Sequence, residues 1–303
     1  MEKKRQTYHK PVLLTESVEA LNINPNGVYV DVTFGSGGHS REILSRLNEG
    51  KLFAFDQDSD ALANTIDDER FTLFNSNFSY LSNFLKFSQC DAIDGLLADL
   101  GVSSHQFDVA ERGFSIRFDG PIDLRMDNRR SSTGADVLNS YEEEEIANIL
   151  YNYGDFRESR RMAKHIANIR QERVFENISD ITEAFANFAP RGKENSYFAR
   201  ILQALRIEVN DEMGVLKSML EQALEMLRPG GRLSIISYHS LEDRLVKNFF
   251  RSGNFNGEIE KDMYGNIITP FKLISKKPIV PAAEEIEQNN RARSAKLRIA
   301  EKL

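Results

Sequence analysis

The residues best suited to chemistry are three aspartates and a glycine loop. Asp31 sits inside an apolar run of Val28, Val30 and Val32, and the chain then passes through Gly35, Gly37 and Gly38 to reach His39 and Ser40. Glycines there let the backbone turn tightly and approach a ligand with no Cβ in the way. Asp56 ends a second apolar stretch, residues 52–55, twenty-one positions after Gly35. A carboxylate at that point can accept hydrogen bonds from both hydroxyls of a ribose. Asp99 stands near the end of a further apolar stretch that begins at Ala92, ahead of a loop with Gly101, Ser103 and Ser104. Together they describe a site for a nucleoside-containing cofactor, with one carboxylate facing the reacting centre. The plainer alternatives are a ligand-free glycine turn and, for Asp99, a helix cap or loop brace.

Two cofactor classes use this layout. A dinucleotide's pyrophosphate wants Gly-x-Gly-x-x-Gly, whose third glycine lets the helix pack closely on the strand. Ser40 occupies that place here, and the charge of Asp31 would repel a pyrophosphate while attracting the ammonium of a methionine moiety. The stretch therefore favours S-adenosyl-L-methionine, with a nicotinamide oxidoreductase as the rival reading.

Strands and helices must hold these residues. Residues 28–32 read as a buried strand, 40–47 carry Ile43, Leu44 and Leu47 at helical spacing, and 52–55 form the next strand. An opening helix is expected over 9–21, further helices over 60–66 and 79–87, and strands over 71–75 and from Ala92. Phe78 then falls at a strand's carboxyl end, where it can lie against an adenine or serve as an ordinary core aromatic. From about Gly113 the alternation stops. An irregular charged loop runs to Arg130, and helices follow from about residue 142, over 157–173 and over 178–188. Helices over 197–209 and 212–227, a strand over 233–238, a capped helix from Ser240 and late strands over 271–275 and 297–300 return the chain to the sheet. The expected organisation is an α/β nucleotide fold in two parts, residues 1–112 and 207–303, around an inserted helical subdomain, residues 113–206.

Of 303 residues, 41% are apolar and 28% charged, the make-up of a soluble globular protein with room for one large or two ordinary domains. No run approaches the roughly 20 apolar residues of a membrane span, and the charged start leads into no signal core. No membrane partner is expected, and the cytoplasm is the simplest location. A single cysteine, Cys90, excludes an intrachain disulfide, and the five histidines form no clustered zinc motif. A net charge of -7 does not advertise a nucleic-acid binder. Local basic groups do exist: Arg157, Arg160, Arg161, Lys164, Arg170 and Arg173 in one helix, and Arg291, Arg293, Lys296, Arg298 and Lys302 in a tail that can contact phosphates or simply be solvated.

In order along the chain, Asp31-Val-Thr-Phe-Gly-Ser-Gly-Gly-His-Ser40, Asp99-Leu-Gly-Val-Ser-Ser104, Glu111-Arg-Gly-Phe-Ser115, Asp119-Gly-Pro-Ile-Asp-Leu-Arg-Met-Asp127, Gln203-Ala-Leu-Arg-Ile-Glu-Val-Asn210, Ser237-Tyr-His-Ser-Leu-Glu-Asp-Arg244 and Arg291-Ala-Arg-Ser-Ala-Lys-Leu-Arg298 resemble the bacterial 16S ribosomal RNA cytosine-N4 methyltransferase family. The resemblance runs from about His9 to the C-terminus. It implies a class I S-adenosylmethionine-dependent methyltransferase (Rossmann-like) fold with an inserted all-helical subdomain. It also implies methylation of the exocyclic N4 amine of a cytidine in the decoding centre, with 16S ribosomal RNA of the small subunit as partner. Carried over, the resemblance assigns Gly37, Gly38 and His39 to the cofactor loop, Asp56 to the ribose, Phe78 to the adenine, and Asp99 and Gln106 to the methionine end. By spacing alone His39 is equally a plain helix-start residue. One run departs from the family: Glu194-Asn-Ser-Tyr-Phe-Ala-Arg200 stands where His-Pro-Ala-Thr-Arg usually precedes Gln-Ala-Leu-Arg-Ile, so any RNA contact made there differs.

The cytosine amine is a poor nucleophile because its lone pair is delocalised into the ring. An acceptor for its hydrogens helps, and Asp99 or a carbonyl of the loop at Leu100 and Gly101 is the candidate. Asp99-Leu-Gly-Val lacks the Asp/Asn-Pro-Pro-aromatic signature of amine-methylating DNA enzymes. The base must leave its stack, and Phe107, Phe114 and Tyr238 are aromatics that can receive it or belong to the core. A non-catalytic RNA-binding module is the second rival, against which the intact Asp31, Gly37, Asp56 and Asp99 speak. Monomer and homodimer both stay open, as do naked RNA and the assembled subunit as substrate.

Overall fold

The structure is a computed structural model that describes residues 11–303. His9 and Lys10, at the head of the expected opening helix, lie outside the described residues. Two compact units emerge, one of the chain up to Gly101 together with Met213–Leu303, the other of Val102–Glu212.

In the first unit, β1 (Val28–Asp31), β2 (Lys51–Phe55), β3 (Phe71–Phe74), β4 (Ile93–Asp99), β5 (Leu227–Ser237), β6 (Phe271–Leu273) and β7 (Lys296–Lys302) form one sheet. Its order is β3-β2-β1-β4-β5-β7-β6. Strands β1 to β5 run parallel, and β7 is antiparallel to both β5 and β6. The helices of this unit are α1 (Leu14–Ala20), α2 (Gly38–Ser45), α3 (Leu81–Phe87), α10 (Glu212–Met226), α11 (Ser240–Ser252) and α12 (Ala283–Gln288). Successive strand residues point to opposite faces, and both faces are covered. Val30, Phe53, Leu96 and Ile235 pack with Leu85, Leu220 and Phe249, while Tyr29, Leu52 and Leu97 pack with Val18, Ile43 and Leu44. Burial on both sides explains why these strands read as near-continuous apolar runs.

Three local readings change. The helix expected over 60–66 is a 3-10 turn, Ser59–Asn64, capped by the Asp58 side chain, which accepts the Asp60 N–H at 3.1 Å. The strand expected over 233–238 begins already at Leu227 as β5, and Arg228-Pro-Gly-Gly lies inside it as a break in register opposite Ile93 and Gly95, with Gly230 at φ +81°. The basic tail is largely committed inside the unit. Lys296 and Arg298 bond to Asp243 at 3.4 and 2.7 Å, and Lys302 Nζ donates to the carbonyls of Leu224 and Leu227 at 2.6 and 2.7 Å, which caps α10.

The second unit contains α4 (Ser104–Asp108), α5 (Gly134–Ser140), α6 (Glu143–Asn152), α7 (Ser159–Ile169), α8 (Ile178–Phe185) and α9 (Glu194–Asn210). Their apolar faces meet in one core that includes Leu138, Ile146, Leu150, Phe156, Met162, Ile166, Phe185, Ile201 and Leu205. Reciprocal side-chain caps at Thr133 and Asp136, Glu142 and Glu145, and Asn177 and Asp180 start three of these helices. The charged loop before them is firmly tied. Asn210 accepts the Met126 N–H and donates to the Leu124 carbonyl, each at 2.8 Å, and Arg112 donates to the carbonyls of Arg125 and Met126 at 3.0 and 3.2 Å. Among the described residues no helix is long and apolar enough to cross a membrane.

Candidate active site

Asp31 is the last residue of β1, Asp56 follows β2, and Asp99 is the last residue of β4. Since β1 lies between β2 and β4, the three carboxylates share the carboxyl edge of the sheet at the point where strand order reverses. That is where open parallel sheets take ligands.

Asp31 is fully buried. Its Oδ2 accepts the Ser40 hydroxyl at 2.7 Å and its Oδ1 accepts the Thr33 N–H at 3.1 Å. The residue in the place of a third glycine therefore ties the first turn of α2 to the acid of β1. Burial pushes the Asp31 carboxyl above its ordinary range, against the pull of His39 and these hydrogen bonds. Asp56 accepts the Gly35 N–H at 2.7 Å and the Asp58 N–H at 2.9 Å. Burial pushes its pKa up to about 6, the two hydrogen bonds oppose the shift, and Asp58 and Asp31 reinforce it. Asp99 accepts the Tyr238 hydroxyl at 2.7 Å on Oδ1, and its own N–H donates to Thr33 Oγ1 at 2.6 Å. Burial raises its pKa to about 6, with His39 and Tyr238 lowering it and Asp31 and Glu242 raising it.

His39 lies buried in the first turn of α2, with Nε2 3.2 Å from the Val12 carbonyl and Nδ1 4.0 Å from Asp99 Oδ2. A carbonyl can only accept, so Nε2 carries a hydrogen, and Nδ1 is the atom that faces Asp99. Two glycines of the loop are required by space. Gly37 has φ +78°, and a Cβ there would lie 2.9 Å from the Phe34 ring; a Cβ on Gly38 would lie 2.1 Å from Pro11 Cγ. Phe78 opens a 3-10 turn capped by Asn77, whose Oδ1 accepts the Ser79 N–H at 2.8 Å and whose Nδ2 donates to Gln57 Oε1 at 2.7 Å. The Phe78 ring is half-buried against the core at the carboxyl end of β3.

Gly37, Gly38, His39, Asp56, Phe78 and Asp99 thus share the first unit. Gln106 belongs to the second, buried in α4, where it accepts the Ser103 N–H at 3.0 Å and donates its own N–H to Ser103 Oγ at 3.2 Å. Of the aromatics considered for the target base, Phe114 is buried in the second unit's core and Phe107 packs against it. Tyr238 instead holds Asp99. The hydroxyls of Thr33, Ser40 and Tyr238 and the carboxylate of Glu242 are site features that sequence reasoning did not assign.

One buried and two half-buried acids, the latter two raised to about 6, repel one another and call for positive charge. The sulfonium and ammonium of S-adenosylmethionine answer that demand, whereas a pyrophosphate would add to the repulsion.

On the second unit, Arg157, Arg160, Arg161 and Lys164 are exposed along α7 and just before it. Arg170 and Arg173 are committed internally, the first donating to the carbonyls of Leu138 and Tyr141, the second pairing with Asp180 and Glu183. The run 194–200 forms the first two turns of α9. Its Arg200 lies 4.3 Å over the Phe156 ring and donates to the Gly154 and Asp155 carbonyls.

The family model described as the MraW methylase family matches residues 6–303. A protein of Parabacteroides distasonis named Ribosomal RNA small subunit methyltransferase H is 55% identical over 305 residues, covering 100% of both chains. A protein of the same name from Cytophaga hutchinsonii is 56% identical over 297 residues, covering 97% of this chain and 99% of its own. Among solved structures, a putative methyltransferase from Streptococcus mutans in complex with SAH is similar at 14% identity and a TM-score of 0.44, covering 100% of each chain.

Proposed function

The chain belongs to the MraW methylase family, and from that premise we propose how its own residues carry the reaction. The protein is an S-adenosylmethionine-dependent methyltransferase of small-subunit 16S ribosomal RNA, and its acceptor is the exocyclic N4 amine of a cytidine. The observation that carries the residue-level reading is the trio of carboxylates at one sheet edge, Asp31 buried and Asp56 and Asp99 half-buried. When bound, the cofactor supplies a methyl group already activated by positive sulfur.

In this reading Asp56 accepts the ribose hydroxyls, Phe78 lies against the adenine, and the backbone at Gly37, Gly38 and His39 closes over the methionine part. Asp31 and Asp99 balance its positive charge. Gln106 is carried over from the family resemblance alone. Asp99 is the catalytic residue: its free Oδ2 accepts a hydrogen of the cytosine amine and draws the nitrogen toward a tetrahedral, nucleophilic form. The N–H bond breaks with its electron pair left on nitrogen, and the proton goes to Oδ2. The helical insertion grips the RNA through Arg157, Arg160, Arg161 and Lys164, which present phosphate-binding charge without help from the net charge of the chain. The decoding centre of an assembled small subunit, in the cytoplasm, is the setting proposed for the reaction.

The test is transfer of labelled methyl to small subunits that lack the modification, with nucleoside analysis of the product. N4-methylcytidine is the expected product. Asp99→Asn should weaken cofactor binding, because the neutral side chain no longer balances the cofactor's charge, and at saturating cofactor it should lose turnover by roughly 10²–10⁴-fold, the usual worth of a proton acceptor. Surviving turnover would move the acceptor to a carbonyl at Leu100 or Gly101.

A further inference from the structure

The turn that follows β5 is built toward Asp99 from two sides. Glu242, buried in the first turn of α11, accepts the backbone N–H groups of Tyr238 at 2.9 Å and His239 at 3.3 Å. The His239 side chain returns the cap, its Nδ1 accepting the Glu242 N–H at 3.4 Å. The Tyr238 backbone is thereby fixed, and its ring lies 3.6 Å from where a Cβ of Gly101 would stand. From there the hydroxyl reaches Asp99 Oδ1 at 2.7 Å. On the other side Thr33 Oγ1 accepts the Asp99 N–H at 2.6 Å. Asp99 Oδ2 has His39 Nδ1 at 4.0 Å, beyond hydrogen-bonding range.

We propose that Tyr238 is a positioning residue that occupies Oδ1 of Asp99 and so leaves Oδ2 as the oxygen that receives the amine proton. The inference rests on the reading of Asp99 as proton acceptor. Burial and the adjacent carboxylate hold the Tyr238 phenol well above its ordinary range, so it stays a donor and does not compete as a base. A donor to the ionised carboxylate favours that form. The groups that face Asp99 are His39 from α2, Asp31 from β1, Glu242 from α11 and Tyr238 itself, and Tyr238 alone among them donates a short side-chain hydrogen bond to it.

The experiment measures single-turnover methylation of small subunits against pH, with cofactor affinity by calorimetry, for the full-length chain and three variants. Tyr238→Phe should move the acid limb of the rate profile up by about one pH unit, the worth of a hydrogen bond to a charged group, with cofactor affinity within threefold of wild type. A 3-fluorotyrosine at position 238 keeps the packing and donates more strongly, so the limb should move down; this variant decides the matter if Tyr238→Phe does not fold. A merely structural tyrosine would lower the rate equally at all pH values. An acid limb unmoved in both Tyr238 variants overturns the inference. Asp99→Asn separates the two layers: wild-type turnover in that variant removes the proton-acceptor reading itself, whereas lost turnover with an unmoved Tyr238 limb removes only the positioning role.

Discussion

An ionised Asp99 works against the fold, and Asp99→Asn measures by how much. Its carboxyl has a pKa of about 6 in the folded chain against an ordinary 3.8. A group raised in this way holds its proton more tightly when folded, so its stabilising contribution is complete below the ordinary value and is lost as the pH rises through about 6. A shift of roughly two units corresponds to about 3 kcal/mol in a dry site. The side chain is 22% exposed, and solvent screening reduces the figure to about 1–2 kcal/mol. Asparagine removes the charge while its Oδ1 can still accept the Tyr238 hydroxyl. At pH 8 the ligand-free variant should therefore be the more stable protein by about 1–2 kcal/mol, or roughly 2–4 °C in Tm per kcal/mol. By pH 4.5 the advantage should shrink by about two thirds, because wild-type Asp99 is then protonated when folded. Urea melts at the two pH values give the difference, and hydrogen exchange of the β4 amides reports on the first unit by itself. A variant less stable than wild type at pH 8, or a difference that does not change with pH, would refute the assignment of a strained, ionised carboxylate.

Other perturbations test neighbouring parts of the site. Cofactor affinity should weaken as pH falls through about 6, where Asp56 and Asp99 take up protons; calorimetry in buffers of different ionisation enthalpy should show proton release on binding near pH 6, and a pH-independent affinity would sink the charge argument. Gly37→Ala places a side chain at φ +78° and against the Phe34 ring, so it should cost about 1–2 kcal/mol and raise the cofactor Kd about tenfold or more. Reversing charge at Arg160 and Arg161 together should flatten the salt dependence of RNA binding by about 1.5 log units per log unit of salt and leave cofactor affinity intact. Lost cofactor binding in that double variant would instead make α7 a structural element.

The central strands were legible because a strand buried on both faces reads as an uninterrupted apolar run, and Asp31, Asp56 and Asp99 followed by counting from those runs. What was not legible depends on partners distant in sequence. The Tyr238 hydroxyl meets a carboxylate 139 positions away, a contact created only when β5 pairs with β4. Lys296 and Arg298 looked like free cations until α11 supplied Asp243, more than fifty positions earlier. Ser40 was noticed for the glycine it replaces, yet its hydrogen bond to Asp31 has no sequence signature. Short elements such as α5 and the 3-10 turn at Ser59–Asn64 owe their form to caps and loop bonds rather than to any periodicity.

The acid cluster joins these observations. A sheet edge holding Asp31, Asp56 and Asp99, with two of them raised to about 6, is a poor arrangement for stability alone, and natural chains retain such conflicts where function requires them. A ligand bearing positive charge relieves the repulsion and, by binding only the folded state, returns the lost stability. The same repulsion rejects a pyrophosphate, so discrimination between the two cofactor classes does not rest on the third loop position alone. Ser40→Gly restores the dinucleotide glycine pattern but leaves the carboxylates in place and frees an Asp31 oxygen from its hydroxyl partner. It should therefore fail to bind NADH in a fluorescence titration while weakening S-adenosylmethionine binding; NADH binding by that variant would show that backbone shape, rather than charge, selects the cofactor.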